Sequence, residues 1–137
     1  FLARGNAAEV LQPGDHGTTF GGGPLAASAA LVVLSELKRP GFFDVVDRKG
    51  RRLRSLIESF HHPIVKDVRG MGLMIGVGVK VDPHEVVSAA QAHHLLVLTA
   101  GEDTVRLLPP LILTDKDIEE GAAALKLALD DVDKLRK

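Results

Sequence analysis

The sequence predicts an α+β fold in which helices pack on one face of a small, mostly antiparallel sheet. Three observations lead there. A long amphipathic stripe closes the chain, with Ile118, Ala122, Leu125, Leu129 and Val132 at helical spacing. The period changes abruptly over 64–81, where short apolar runs flank Gly70-Met71-Gly72. Two more short runs, 96–99 and 104–108, surround the turn Ala100-Gly101-Glu102-Asp103. A chain of 137 residues can bury about two-thirds of its unfolded surface, so it can build a core.

In chain order, residues 6–12 read as a short helix with Asn6 as N-cap, stopped by Pro13-Gly14. Residues 13–23 form a Gly-rich loop, and Pro24 suits the first position of a helix that runs to about Lys38. Apolar residues nearly encircle that helix, so it is expected to be buried or at an interface. Arg39-Pro40-Gly41 breaks it. A second helix spans roughly 43–60, with Phe43, Val46, Leu53, Ile57 and Phe60 on one face and Lys49, Arg51, Arg52 and Arg54 solvated on the other. Gly50 costs it up to ~1 kcal/mol relative to Ala, which allows an irregularity there. His61-His62-Pro63 ends it. Two strands follow over 64–81, the second apolar enough to be largely buried. Asp82-Pro83 opens a third helix to about His93, with Val86, Val87 and Ala90 inward. Pro109-Pro110 ends the ladder because proline donates no hydrogen bond to it. Thr114 caps the last helix, with Asp117 completing a near capping box. The N-terminal segment is assigned to a separate structural unit.

Composition excludes several classes. The chain is 45% hydrophobic and carries a net charge of −1, which argues against disorder and against nucleic acid as a partner. Trp and Tyr are absent, so aromatic platforms for single strands are unavailable. There is no cysteine, hence no disulfide, thiolate metal site or cysteine nucleophile. No apolar run reaches the roughly 18–20 residues a membrane span needs. The start, Phe1-Leu2-Ala3-Arg4-Gly5, lacks an initiator Met and a signal layout, and reads as the middle of a longer chain.

The loop at 13–23 is the most informative stretch for chemistry. Glycine-lined backbone with hydroxyls ahead of a helix N-terminus suits a phosphate, because free N–H groups and the helix dipole favour an anion. Thr18 and Thr19 add donors. A tight structural loop ending in a capped helix fits the same spacing. The six histidines fall at helix ends and in loops without metal-ligand spacing, and no serine sits in GxSxG, so metal and serine-triad chemistry are set aside. Arg106, between Val105 and Leu107, is either salt-bridged on the solvent face or placed to meet a carboxylate. Arg69 reads as structural.

Three segments carry a resemblance. His16-Gly17-Thr18-Thr19-Phe20-Gly21-Gly22-Gly23-Pro24-Leu25-Ala26 resembles the HGSTFGGNPLA motif of class III (ornithine-type) pyridoxal-phosphate-dependent aminotransferases. Val68-Arg69-Gly70-Met71-Gly72-Leu73-Met74-Ile75-Gly76 is similar to their VRGxGLMxG segment. Leu98-Thr99-Ala100-Gly101, then Val105-Arg106-Leu107-Leu108-Pro109-Pro110-Leu111, resembles a stretch of the acetylornithine-type members. Order and spacing fit over essentially the whole chain.

The resemblance implies a fold-type I transaminase, a cytoplasmic homodimer with shared active sites, acting on a small amino-acid substrate. Residues 1–38 would be the end of its large cofactor-binding domain and connecting helix, and 39–137 its small C-terminal α+β domain. It implies that Thr19 binds the cofactor phosphate, in the partner subunit's site. Thr18 would contact substrate, standing where the acetylornithine type usually has serine. Arg106 would lie near the substrate's carboxylate side and, as in ornithine-type relatives, pair with an acidic residue from elsewhere in the chain. Gly23 departs from the family's Asn, and Gly78 falls where an acidic residue is common.

Transamination also needs a lysine that bonds to the cofactor and moves protons, and an acidic partner for the pyridine nitrogen. In the family both lie upstream of the matching region, and none of Lys38, Lys49, Lys66, Lys80, Lys116, Lys126, Lys134 and Lys137 sits in the lysine motif. No catalytic residue is therefore assigned, and this polypeptide alone is expected to be inactive. The expected function is the C-terminal part of an acetylornithine-type transaminase using 2-oxoglutarate. Alternatives are a portion acting on ornithine, succinyl-diaminopimelate or carrier-bound lysine, a non-catalytic module packing with a partner chain, or a phosphate-ligand domain resting on the 13–23 loop.

Overall fold

The computed structural model describes residues 3–12 and 14–136. The chain forms two compact units, one running to Arg39 and the other starting at Pro40.

In the first unit, the helix expected over 6–12 is a 3-10 turn, Gly5–Glu9, with Arg4 rather than Asn6 at its N-cap. No side-chain cap supports it, and so short a segment closes into the tighter turn. Part of the expected stop, Pro13, lies outside the described residues. Helix α1, Pro24–Leu37, opens on Pro24 and holds no buried residue. Leu25, Leu31, Val32 and Val33 are exposed, so the apolar girdle is not buried within its own unit. One helix and one turn supply no second layer to cover it.

The second unit contains α2 (Phe42–Glu58), β1 (Val65–Met71), β2 (Met74–Val79), α3 (Pro83–Ala92), β3 (Leu98–Thr99), β4 (Thr104–Leu107) and α4 (Asp115–Lys134). The strands form one antiparallel sheet in the order β1-β2-β4-β3. Alternation along β2 and β4 sends Ile75, Val77, Val79, Val105 and Leu107 into the core. There they join α3 (Val86, Ala90) and the full α4 stripe, all buried. α4 starts with a true capping box: Thr114 accepts from the Asp117 backbone N–H, and Asp117 accepts from the Thr114 N–H.

Three expectations about α2 are corrected. Phe43 is exposed, because the helix starts one residue earlier and Phe42 packs against the core instead. Gly50 causes no irregularity; it is buried, and a methyl there would overlap the Gly72 carbonyl. Glycine thus lets helix and hairpin touch backbone to backbone. The basic face is not simply solvated. Arg52 reaches Asp115 at 3.1 Å and Glu119, Arg54 donates to the Gly70 carbonyl at 2.9 Å, and Lys49 donates to the Leu113 carbonyl. Strand β3 is also shorter than expected, with Leu96 exposed outside it.

Four histidines, His61, His62, His93 and His94, lie where α2 and α3 end. His61 and His94 take left-handed backbone just past α2 and α3, and Leu95 N–H closes onto the Ala90 carbonyl as in a Schellman end. Their neighbours tie back to α4: His62 Nε2 lies 3.2 Å from Asp130, and His93 Nε2 lies 2.8 Å from Asp131. Hydrogen bonds hold several carboxyls below the usual carboxylate range: Lys126 for Asp130, His93 for Asp131, and the Thr114 backbone for Asp117. A carboxyl lowered by folding adds stability that is complete above its unfolded value, about 4, and is lost as pH falls through the folded one. Denaturant midpoints should therefore hold steady down to about pH 4 and fall below it. Asp130→Asn/Asp131→Asn should make that acid limb shallower; an unchanged limb would show that these pairs contribute nothing.

Candidate functional site

Two sets of polar groups stand out, one in each unit. In the first, Gly21 and Gly22 turn the chain just ahead of α1. The methyl of Thr18 occupies the space a Cβ at Gly21 would fill, so a side chain there would make Thr18 turn aside. Thr18 and Thr19 are exposed, and neither hydroxyl has a partner among the described residues. Thr19 borders a cavity of about 470 Å³ with Phe20, Gly21, Gly23 and Pro24. Gly23, at the N-cap, is extended and offers no side-chain acceptor, so the first turn of α1 carries no cap. The family's Asn would supply one. Uncapped amides and two free hydroxyls are a donor set that suits a phosphate monoester.

The second set lies on the sheet face turned away from the helices. Direct cross-strand partners share a face, so Arg69, Gly76, Arg106 and Leu98 form one row across all four strands. Arg106 is half-buried, and its Nε is buried without a partner. Among the described residues it forms no ion pair. Its side chain borders a cavity of about 390 Å³ whose other walls include Met71, Met74, Gly76 and Ala100. A buried guanidinium nitrogen with no acceptor is costly, and an incoming carboxylate relieves that cost.

Arg69 is the opposite case. It pairs with Asp67, donates to Thr104 Oγ1 at 2.7 Å, and lies 4.0 Å from Asp103. Thr104 donates its hydroxyl hydrogen bond to Asp103 at 3.0 Å, and Lys66 donates to Asp103 at 2.9 Å. The Lys66 hydrogen bond, then that of Thr104, holds the Asp103 carboxyl below its ordinary range. Gly78, where the family commonly has an acid, leaves room for this network: a Cβ there would stand 2.7 Å from Asp67 and 3.1 Å from the Arg69 guanidinium. Sequence reasoning found Arg69 but missed Lys66, Asp67, Asp103 and Thr104. The i, i+2 spacing of Asp67 and Arg69 on a strand was the available signal.

The second unit thus carries a four-stranded sheet of this order backed by helices, and the first a hydroxyl-bearing glycine loop at a helix entrance. Residues 1–129 match the family described as aminotransferase class-III, and the chain belongs to it. Pyridoxal phosphate is the cofactor of that class. Among curated relatives, acetylornithine aminotransferase 1 of Bradyrhizobium diazoefficiens is 42% identical over 93% of the chain and 32% of its own length. The acetylornithine aminotransferase of Caldanaerobacter subterraneus subsp. tengcongensis is 43% identical over 90% and 31%. Of solved structures, the ornithine aminotransferase of Toxoplasma gondii gives a TM-score of 0.76 at 30% identity, over 97% of the chain and 33% of that structure. The N-acetylornithine aminotransferase of Stenotrophomonas maltophilia gives 0.76 at 31%, over 84% and 33%. The chain spans about a third of the length of these relatives. Among the described residues no helix is long and apolar enough to cross a membrane, and no group of three or more His, Asp or Glu could hold a metal.

Proposed function

We propose that this chain is the C-terminal part of a transaminase that moves an amino group from N-acetylornithine to 2-oxoglutarate. The observation that carries this reading is the pair of free hydroxyls, Thr18 and Thr19, at the uncapped, glycine-lined entrance of α1. In this reading Thr19 donates to the cofactor phosphate, Thr18 orients substrate, and Arg106 takes a substrate carboxylate in its guanidinium fork. Pyridoxal phosphate, when bound, supplies the electron sink for breaking a bond at the amino-bearing carbon. This chain's residues bind and orient; proton transfer belongs to a lysine outside it.

The first unit would be the end of the large domain, and the second the small C-terminal domain. The exposed apolar girdle of α1 fits a homodimer in which Thr19 serves the partner's site. A cytoplasmic location goes with this reading. Ornithine is the alternative donor, because ornithine and acetylornithine enzymes superimpose on the chain equally well.

Adding pyridoxal phosphate to the full-length protein should give the visible absorbance of the protein-bound cofactor; its absence would end the transaminase reading. Thr19→Ala should weaken cofactor retention by about 1–3 kcal/mol, the range for a lost hydrogen bond to a charged group. Retention equal to wild type in a dialysis series would remove Thr19 from its role.

A further inference from the structure

The end of the β1–β2 hairpin supplies most of the wall of the cavity that Arg106 borders: Gly70, Met71, Met74, Ile75 and Gly76 all line it. Met71 and Met74 are cross-strand partners, two residues along from Arg69 and Gly76 and therefore on the same face as Arg106. Both methionines are exposed among the described residues, so the backbone beneath them, rather than core packing, sets where they stand. That backbone is soft by itself. Gly70 and Gly72 take positive φ, 142° and 54°, at the two ends of a tight reversal, and glycine leaves such conformations at little cost.

Helix α2 supplies the restraint. Gly50 brings the helix backbone against the Gly72 carbonyl, and Arg54, one turn further along the same helix face, donates to the Gly70 carbonyl at 2.9 Å. Neither residue lines the cavity. We infer that Arg54 is a positioning residue for binding of the substrate's carboxylate: by holding the Gly70 carbonyl, it fixes the hairpin end whose methionines wall the Arg106 cavity. Apolar side chains beside a guanidinium keep water out, and a charge pair strengthens as its surroundings become less polar. Once Gly70 is released, the methionines shift and water reaches the pair. This role for Arg54 rests on the reading of Arg106 as lying at the substrate's carboxylate. It uses only contacts that are present, whatever Arg106 meets from the rest of a longer chain.

The test is steady-state kinetics of the full-length, cofactor-loaded protein with 2-oxoglutarate varied. Arg54→Met should raise KM about fivefold and leave kcat within about twofold, as expected when one hydrogen bond that positions a binding wall is lost. A hydrated pair is screened by salt far more than a shielded one, so KM of Arg54→Met should also climb more steeply with ionic strength. Lost stability alone does not produce that slope. Arg54→Lys, which keeps a cationic donor for the carbonyl, should recover most of the wild-type KM. An unchanged KM in Arg54→Met, a salt slope equal to wild type, or no recovery in Arg54→Lys overturns the inference. Arg106→Met is the separate control: KM at the wild-type level there makes the carboxylate reading itself wrong, whereas a raised KM there beside an unchanged Arg54→Met sinks only the role of Arg54. Should Arg54→Met lose its circular-dichroism signal, Met71→Ser/Met74→Ser opens the wall directly. It should reproduce the higher KM and the steeper salt slope, and a wild-type KM in that variant overturns the inference equally.

Discussion

Gly50→Ala should lower the thermal midpoint by about 10 °C, although alanine is the better helix former. Helix propensity alone favours the substitution by about 1 kcal/mol. Packing opposes it more strongly. The added methyl would overlap the Gly72 carbonyl, which is backbone in a tight hairpin turn and cannot rotate aside. Inserting a methyl into a packed contact costs about 1–3 kcal/mol, and a rigid neighbour puts this site at the upper end. The net loss is about 2 kcal/mol, which in a small domain corresponds to the stated shift. Arg54, which donates to the Gly70 carbonyl from the same helix, would be displaced with it. Thermal melts of Gly50→Ala beside an exposed control decide the matter: an equal or higher midpoint would mean that the hairpin yields.

Arg106→Met should raise KM for the carboxylate substrate about a hundredfold while leaving the melting temperature nearly unchanged. The two halves of that expectation have one cause. Among the described residues Arg106 has no partner to lose, so this part of the fold forfeits little when the guanidinium goes. The bound carboxylate, by contrast, loses a bidentate charge-assisted pair at a partly desolvated site, typically about 2–5 kcal/mol. Arg106→Lys should recover only a small part, because a point ammonium cannot reproduce the planar fork. Steady-state kinetics with a melting curve on each variant separate the outcomes. KM at the wild-type level would remove Arg106 from substrate binding, and a collapsed midpoint would make it structural.

The elements were legible wherever chemistry is local. Thr114 and Asp117 mark the start of α4 because a capping box is made by residues three apart. The α4 stripe identifies its own buried face for the same reason, and Pro24 and Asp82-Pro83 announce α1 and α3. Strand positions followed from the change of period. The turn at Gly5 and the choice of Phe42 over Phe43 were not legible, because a one-residue shift in a helix start moves the whole face. The candidate site was marked by motifs: Thr18, Thr19 and Arg106 stand out by sequence neighbours and by resemblance. Their surroundings were not.

Taken alone, the sequence determines the α+β class, the cap of α4, the core stripe, the family match and the residues bearing hydroxyl and guanidinium groups. Tertiary structure decides the rest. It makes Gly50 a contact rather than a flaw, because Gly72 arrives from a distant hairpin. It turns Arg52 and Arg54 from a solvated face into ties to α4 and β1. It distinguishes Arg69, paired with Asp67 and Thr104, from Arg106 on the same row, which has no partner among the described residues. Pairing depends on which strands lie side by side, and strand order β1-β2-β4-β3 is a long-range property that no local pattern encodes.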